Sequence, residues 1–139
     1  MDLEHTRRFK AKMGILPEML EFIGAVCRDA GLEHPLRRRV ELVLEEIFTN
    51  TVRHGYGADC DAPIWLHAQG TSQTLCVIYE DEAGAFDPLE HYAKFSQSID
   101  GRPVGGQGLR LVHNLASAVA YRRTGDRNVI TLTFGKAPG

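Results

Sequence analysis

The sequence has little of what marks exported, metal-binding or nucleic acid-binding proteins. Its three cysteines are widely spaced and form no CxxC pair, so neither a disulfide framework nor a zinc site is indicated. The six histidines show no HExxH spacing. A net charge of −2 gives no general electrostatic reason to bind nucleic acid. These absences favour a protein of the reducing cytoplasm that has no direct nucleic acid partner.

Long hydrophobic runs are absent as well. The N-terminus lacks the apolar segment of a signal peptide, and no run approaches the roughly 18 apolar residues that a membrane span requires. The 139 residues suffice for one domain with a single core and are too few for two domains of typical size. We therefore expect one domain over residues 1–139, with no membrane partner.

Apolar periodicity and turn residues predict helices in the first half of the chain and mainly strands in the second. The predicted helices span residues 17–29, 34–54 and 108–117, and the predicted strands span residues 5–13, 63–68, 74–80, 119–123 and 128–134. The last four strands form two hairpins. This order predicts an α+β fold, a two-layer sandwich in which about three helices cover one face of a mixed, mostly antiparallel sheet.

The segment EEIFTNTVRHGY, residues 45–56, places an asparagine at the border of the apolar stripe of the second helix. At about 100° per residue, Glu46, Asn50 and His54 form one ridge beside that stripe. A polar border on an ordinary helix explains this pattern equally well when it is taken alone. The alternative is functional, since an amide oxygen suits Mg²⁺ and a carboxylate one turn away suits a general base.

Two further segments carry candidate chemistry. Asp81 ends a strand and is followed by small residues, so it could accept a hydrogen bond from an exocyclic amine, although turns of this kind are common at strand ends. The segment GGQGLRLV, residues 105–112, places glycines before a helix and is a candidate phosphate cradle or a simple linker. Between them, residues 81–106 lack periodicity, which is typical of a lid or a binding loop.

The order and spacing of these three segments resemble the GHKL ATPase superfamily, with its Bergerat ATP-binding fold. EEIFTNTVRHGY and GAFDPL look like the anti-sigma-factor serine-protein kinases of bacteria, over about residues 5–134. The resemblance implies ATP and Mg²⁺ as cofactors, with a lid over residues 89–104. It implies that Asn50 holds Mg²⁺ and that Glu46 is the general base. The cofactor-binding residues that it implies are Asn50, His54, Asp81 at the adenine amine, Gly84, Ala85, Gly105, Gly106, Gly108, Leu109 and Thr131 near adenine.

The resemblance also implies a biological role. Such a kinase phosphorylates a serine of a STAS-type anti-anti-sigma factor and sequesters a sigma factor, thereby regulating transcription by partner switching. It further implies a homodimer formed through the N-terminal strand and the first helix. The chain departs from the family's Asp-x-Gly-x-Gly turn, because Ala83 and Ala85 replace both glycines. A nucleotide-gated binding module without phosphotransfer is the alternative, and retention of Glu46 argues against it.

Overall fold

Five antiparallel strands form one sheet in a computed structural model, which describes residues 3–86, 112 and 114–135. The strands are β1 (Leu3–Lys10), β2 (Pro63–Gly70), β3 (Thr74–Asp81), β4 (Ala118–Thr124) and β5 (Arg127–Gly135). Their order across the sheet is β1, β2, β3, β5, β4, and all four pairings between neighbouring strands among the described residues are antiparallel. The predicted α+β class and both predicted hairpins are confirmed.

Two long helices, α1 (Leu16–Ala30) and α2 (His34–Asn50), lie in the first half of the chain, as predicted. Each has a proline in its first turn, where the missing N–H costs no hydrogen bond. At the end of α1, Gly31 adopts a φ of 80°, which a residue with a side chain rarely adopts. Neither helix, nor any other among the described residues, has the length and apolarity needed to cross a bilayer.

The core lies between the helices and one face of the sheet. Residues alternate between buried and partly exposed along β2 and β3, as expected for strands with one covered face. On α2 the buried side chains repeat at helical spacing, and they include the predicted apolar stripe. The largest fully buried side chains are those of Tyr79, Phe48, Phe134, Met19, Ile23, Leu44, Ile64, Leu66, Leu75 and Leu132.

The sheet register brings two polar residues into this apolar layer. Asp81, the last residue of β3, pairs with Asn128 near the start of β5, and both side chains are buried. Asp81 shares the covered face with Tyr79, Val77 and Leu75 because side chains two apart in a strand point to the same side. The predicted third helix falls mostly outside the described residues.

Candidate functional site

A pocket opens where the end of α2 meets the end of β3 and the start of β5. Its floor is apolar, with Ile47 from α2 and Ile130 from β5, and buried polar groups lie at its margin. Such a combination suits a flat ligand that is held by packing and oriented by a few hydrogen bonds. The described residues that line the pocket are Ile47, Asn50, Thr51, Gly55, Asp81, Ala83, Phe86, Asn128 and Ile130.

Asp81 is the buried carboxylate of this pocket, and only 4% of its surface is exposed. Its Oδ1 accepts hydrogen bonds from the Asn128 amide nitrogen at 2.8 Å and from the Ala83 backbone N–H at 3.1 Å. Its Oδ2 lies 3.1 Å from the Thr51 hydroxyl. These contacts offset the cost of burying a charged group and fix the plane of the carboxylate.

Thr51 connects this carboxylate to the core. Its hydroxyl accepts a hydrogen bond from the Tyr79 hydroxyl at 2.8 Å. The single hydroxyl proton of Thr51 is shared between Asp81 Oδ2 at 3.1 Å and the Ile47 carbonyl at 3.0 Å. Burial raises the pKa of Tyr79 well above its ordinary value, so Tyr79 stays a neutral donor. Oδ2 therefore keeps acceptor capacity for a ligand.

A π-helical turn, Thr51–Gly55, follows α2 directly and changes which residue faces the pocket. The Tyr56 N–H bonds the Thr51 carbonyl five residues earlier at 2.8 Å, so this turn holds one residue more than an α-helical turn. Gly55 lies at the pocket, whereas His54 is exposed and is not part of the pocket lining. The predicted ridge of Glu46, Asn50 and His54 assumed an uninterrupted α-helix, and the described residues do not bring His54 to the pocket together with Asn50.

Gly55 and Ala83 approach each other closely beside the pocket. A Cβ added to Gly55 would come within 2.9 Å of the Ala83 methyl group, which is closer than two such atoms are found in proteins. The methyl group of Ala83 is buried at this contact. The alanine that replaces a glycine of the family's turn is therefore accommodated by the absence of a side chain at residue 55.

Glu46 and Asn50 lie one turn apart on α2, both half-buried. The Asn50 amide nitrogen donates a hydrogen bond to Glu46 Oε2 at 3.1 Å. This contact orients the amide, and among the described residues no hydrogen bond to its oxygen competes with a ligand or a cation. Asn50 lines the pocket, and Glu46 stands behind it, one turn toward the start of the helix. The neighbouring Glu45 is exposed.

The oxygen atoms that line the pocket suit a Mg²⁺ ion whose coordination shell comes mainly from water and a bound phosphate ligand. Among the residues that the structure describes, no three His, Cys, Asp or Glu side chains are placed to hold a metal ion. Mg²⁺ usually takes only one or two protein oxygens and completes its shell with water and substrate phosphates. The Asn50 amide oxygen, which lines the pocket, is one such protein oxygen, and it would hold the ion.

Tyr56 anchors the turn that follows β3. Its hydroxyl oxygen accepts the Glu82 backbone N–H at 2.8 Å. Burial raises the pKa of Tyr56 to about 12, with Asp81 among the charges that add to the effect. Tyr56 thus ties the end of the π-helical turn to the residues beside Asp81.

Of the remaining predicted site residues, the structure describes Gly84, Ala85 and Thr131. Gly84 and Ala85 are exposed in the turn after β3, and the Gly84 carbonyl accepts a hydrogen bond from Asn128 at 2.9 Å. Thr131 is adjacent to Ile130 on β5, so its side chain points to the uncovered face of the sheet, away from the pocket. The structure therefore does not bring Thr131 to Asp81. Gly105, Gly106, Gly108, Leu109 and the lid over residues 89–104 lie outside the described residues.

The sequence patterns missed two residues of the site, Asn128 and Thr51. Asn128 is the first residue of the predicted strand 128–134, after the turn TGDR, and no pattern marked it as a site residue. Thr51 follows Asn50 directly and was likewise given no role in the site. Its role depends on Tyr79 and Asp81, which lie 28 and 30 residues further along the chain and are brought to it only by the fold.

Comparison with known protein families matches residues 9–134 to the histidine kinase-like ATPase domain. The chain belongs to this family. The match spans nearly the whole chain and confirms the GHKL-type resemblance. Membership of an ATPase-domain family implies that the chain binds ATP.

A curated relative of this ATPase domain is the serine/threonine-protein kinase BtrW of Bordetella bronchiseptica. The two are 31% identical over 104 residues, which cover 74% of this chain and 73% of BtrW. The fold also resembles the structure of the RsbU and RsbW domains of Rv1364c from Mycobacterium tuberculosis, with a TM-score of 0.66 and 16% identity. That match covers 96% of this chain and 32% of the other.

The catalytic domain of the histidine kinase ThkA has the same fold. Its TM-score is 0.53 at 12% identity, over 97% of this chain and 99% of that domain. At such identities the likeness concerns the fold alone.

Proposed function

We propose that the chain is an ATP-dependent serine-protein kinase of a partner-switching system. The observation that carries the proposal is the Glu46–Asn50 pair, in which Asn50 lines the pocket and a hydrogen bond of 3.1 Å joins the two side chains. A domain that only bound ATP would need the metal ligand and would have less need of a carboxylate beside it. The curated relative that is named a serine/threonine-protein kinase supports the same assignment.

In this proposal Glu46 is the general base. Its Oε2 accepts the Asn50 amide proton, so Oε1 is available to accept the proton of a target serine hydroxyl. The serine oxygen then forms a bond to the γ-phosphorus of ATP, the bond from that phosphorus to the bridging oxygen breaks, and ADP leaves with the electron pair. Mg²⁺ held at the Asn50 oxygen would supply neutralisation of phosphate charge.

Asp81 orients the base of ATP in the pocket. Its Oδ2 accepts a hydrogen bond from the exocyclic amine of adenine, while Ile47, Ile130 and Phe86 contact the flat faces of the ring system. Because Asp81 and Asn50 are set on a strand and a helix rather than on loops, the distance between base and phosphate subsites is fixed by the fold.

The protein substrate is a serine of a STAS-type anti-anti-sigma factor, and the alternative partner is a sigma factor. The likeness to BtrW and to a structure containing an RsbW domain supports a partner-switching role with an anti-anti-sigma factor. Phosphorylation adds about 1.5 to 2 negative charges to the antagonist and weakens its interface with the kinase. The kinase is then free to sequester the sigma factor, and transcription from that factor's promoters falls.

A homodimer is part of the proposal. Strand β1 lies at one edge of the sheet, and it pairs with β2 along only one side among the described residues. An edge strand of eight residues next to α1 offers a surface for a second copy. Sedimentation velocity should give a dimer mass, which Arg8→Pro in the middle of β1 should reduce to that of a monomer.

The decisive experiment uses the purified chain, Mg-ATP labelled at the γ-phosphate, and STAS-domain proteins encoded near its gene. We expect transfer of label to one of them, and mass spectrometry should place the phosphate on a serine. ATP binding without phosphoserine on any STAS-domain protein would contradict the kinase proposal and favour a nucleotide-gated binding module. Absence of ATP binding would contradict both.

A further inference from the structure

The amide of Asn128 is held from both ends inside the fold, with only 2% of the residue exposed. Its oxygen accepts three donors: the Tyr121 hydroxyl at 2.7 Å, the Phe86 backbone N–H at 3.1 Å and Arg123 Nη1 at 3.1 Å. If the amide were rotated by 180°, its NH₂ group, which is itself a donor, would face these three donors and find no acceptor. The side chain therefore has one allowed orientation.

This orientation directs the nitrogen of Asn128 at the turn after β3. It donates to Asp81 Oδ1 at 2.8 Å and to the Gly84 carbonyl at 2.9 Å, with the Ala83 carbonyl further away at 3.3 Å. Arg123 Nη1 also donates to the Ala83 carbonyl at 2.8 Å. The turn that bears the replaced glycines is thus held by side chains from β4 and β5.

The two carboxylate oxygens of Asp81 therefore differ in the hydrogen bonds that they accept. Oδ1 receives two N–H donors, from Asn128 and from the Ala83 backbone, and has little capacity left. Oδ2 has the shared Thr51 hydroxyl and faces the pocket. With Oδ1 saturated by donors, the carboxylate is held with its second oxygen toward the ligand, and that oxygen acts as an acceptor only.

We propose that Asn128 is a positioning residue that sets the base preference of the pocket by keeping Asp81 an oriented acceptor. The inference rests on the proposed function, in which this pocket takes the base of ATP. A 6-amino purine donates an N–H to Oδ2. A 6-oxo purine turns a carbonyl oxygen toward the same carboxylate oxygen, and two acceptors repel each other. Asn128 thereby selects adenine over hypoxanthine without contacting the base.

The test compares ATP with inosine triphosphate, which has the same sugar and phosphates and differs in carrying a 6-oxo group and a proton on N1 of the base. Calorimetric titration in Mg²⁺ should give the parent a preference for ATP of about tenfold or more. Asn128→Asp is nearly isosteric and keeps an oxygen for Tyr121, Phe86 and Arg123. It replaces the donor to Asp81 by a second oxygen, so the two carboxyl groups must share a proton and Asp81 can donate as well as accept.

We expect Asn128→Asp to bring the ratio of the two affinities toward unity. Tyr121→Phe, which removes one of three donors to the Asn128 oxygen, should lower the ratio by less. Thr133→Val serves as the matched control on the same strand, since residue 133 points to the uncovered face, and it should keep the parental ratio. Circular dichroism establishes that each variant is folded.

A residue that merely stabilised the turn would weaken both nucleotides together and leave the ratio unchanged. A parent that prefers ATP and a folded Asn128→Asp protein with the same preference would overturn this inference and leave the proposed function standing. A parent that binds neither nucleotide would overturn the proposed function and this inference together.

Discussion

The amide nitrogen of Asn50 donates a 3.1 Å hydrogen bond to Glu46 Oε2, one turn earlier on α2. The bond has two effects on one site. It turns the amide oxygen of Asn50 outward, where it can meet a cation, and it leaves Glu46 Oε1 without that partner. The side chains that we propose as metal ligand and general base are thereby placed in a fixed relation by a single turn of helix.

Replacing Glu46 by Gln separates the role of the carboxylate from that of its hydrogen bond. The Gln side chain keeps an oxygen that can accept the Asn50 amide proton, so we expect the ATP dissociation constant to stay the same. Phosphotransfer should fall by about 10²- to 10⁴-fold, which is typical for loss of a general base. Single-turnover transfer of labelled phosphate to the antagonist measures this effect.

Glu45→Gln is the matched control for that measurement. Glu45 has the same chemistry, lies one residue earlier and is exposed. Its substitution should leave the transfer rate at the parental value. Equal rates for the Glu46→Gln protein and the parent would show that Glu46 is not the base, whatever the behaviour of Glu45→Gln.

Asn50→Ala should remove the Mg²⁺ dependence of ATP binding. In the parent we expect tighter ATP binding with Mg²⁺ than with EDTA, because the Asn50 oxygen joins the shell of the ion. Loss of a direct ligand should weaken Mg²⁺-dependent binding by about tenfold or more. Affinities measured with and without Mg²⁺ should therefore converge in the variant. A variant that keeps the full effect of Mg²⁺ would exclude Asn50 as the ligand.

The outcome for His54 and Asn128 shows which parts of the site the sequence could predict. Apolar periodicity predicted α2 and the strands because burial of one face imposes those periods along the chain. It placed Glu46 and Asn50 correctly on one side of α2. Past Asn50 the helix widens into a π-helical turn, and no pattern of apolar residues signalled this change, so the α-helical spacing from which His54 was predicted does not hold there.

Asn128 could not be assigned for a different reason. Its partner Asp81 lies 47 residues earlier, and the pair depends on the register of β3 with β5. A sequence pattern indicates the face of the sheet on which a strand residue lies, but it does not indicate which residue of the neighbouring strand pairs with it. The compensation between Gly55 and Ala83 has the same origin, since the two residues meet only through the packing of the π-helical turn on the end of β3.

The contact between Gly55 and Ala83 predicts a specific coupling. Gly55→Ala should lower the free energy of unfolding by about 1–3 kcal/mol, the usual cost of overpacking, since its new Cβ would meet the Ala83 methyl at 2.9 Å. Adding Ala83→Gly removes that methyl and should restore most of the loss. Chemical denaturation of the parent, both single variants and the double variant gives the coupling free energy.

Gly14→Ala is the control for the effect of alanine in a helical turn. A Cβ at Gly14 would meet no atom within 4 Å, so its unfolding free energy should change by no more than about 0.5 kcal/mol. A coupling near zero between positions 55 and 83 would contradict the close contact. ATP affinity should follow the same pattern as stability, because both residues line the pocket.

Tyr56 predicts a loss of stability at alkaline pH. Burial raises its pKa from 10 to about 12 in the folded protein, so between those values the unfolded chain loses the phenolic proton while the folded chain keeps it. The stability that this group contributes is complete below pH 10 and falls as the pH rises toward 12. The Tyr56→Phe protein lacks the titrating group. The parent's larger free energy of unfolding, which includes the hydrogen bond from the Glu82 N–H to Tyr56, should therefore approach that of the variant steadily over this pH interval. Urea denaturation of both proteins at several values from pH 8 to pH 11.5 measures the difference, and Tyr79, present in both, cancels. A constant difference across the series would contradict the raised pKa.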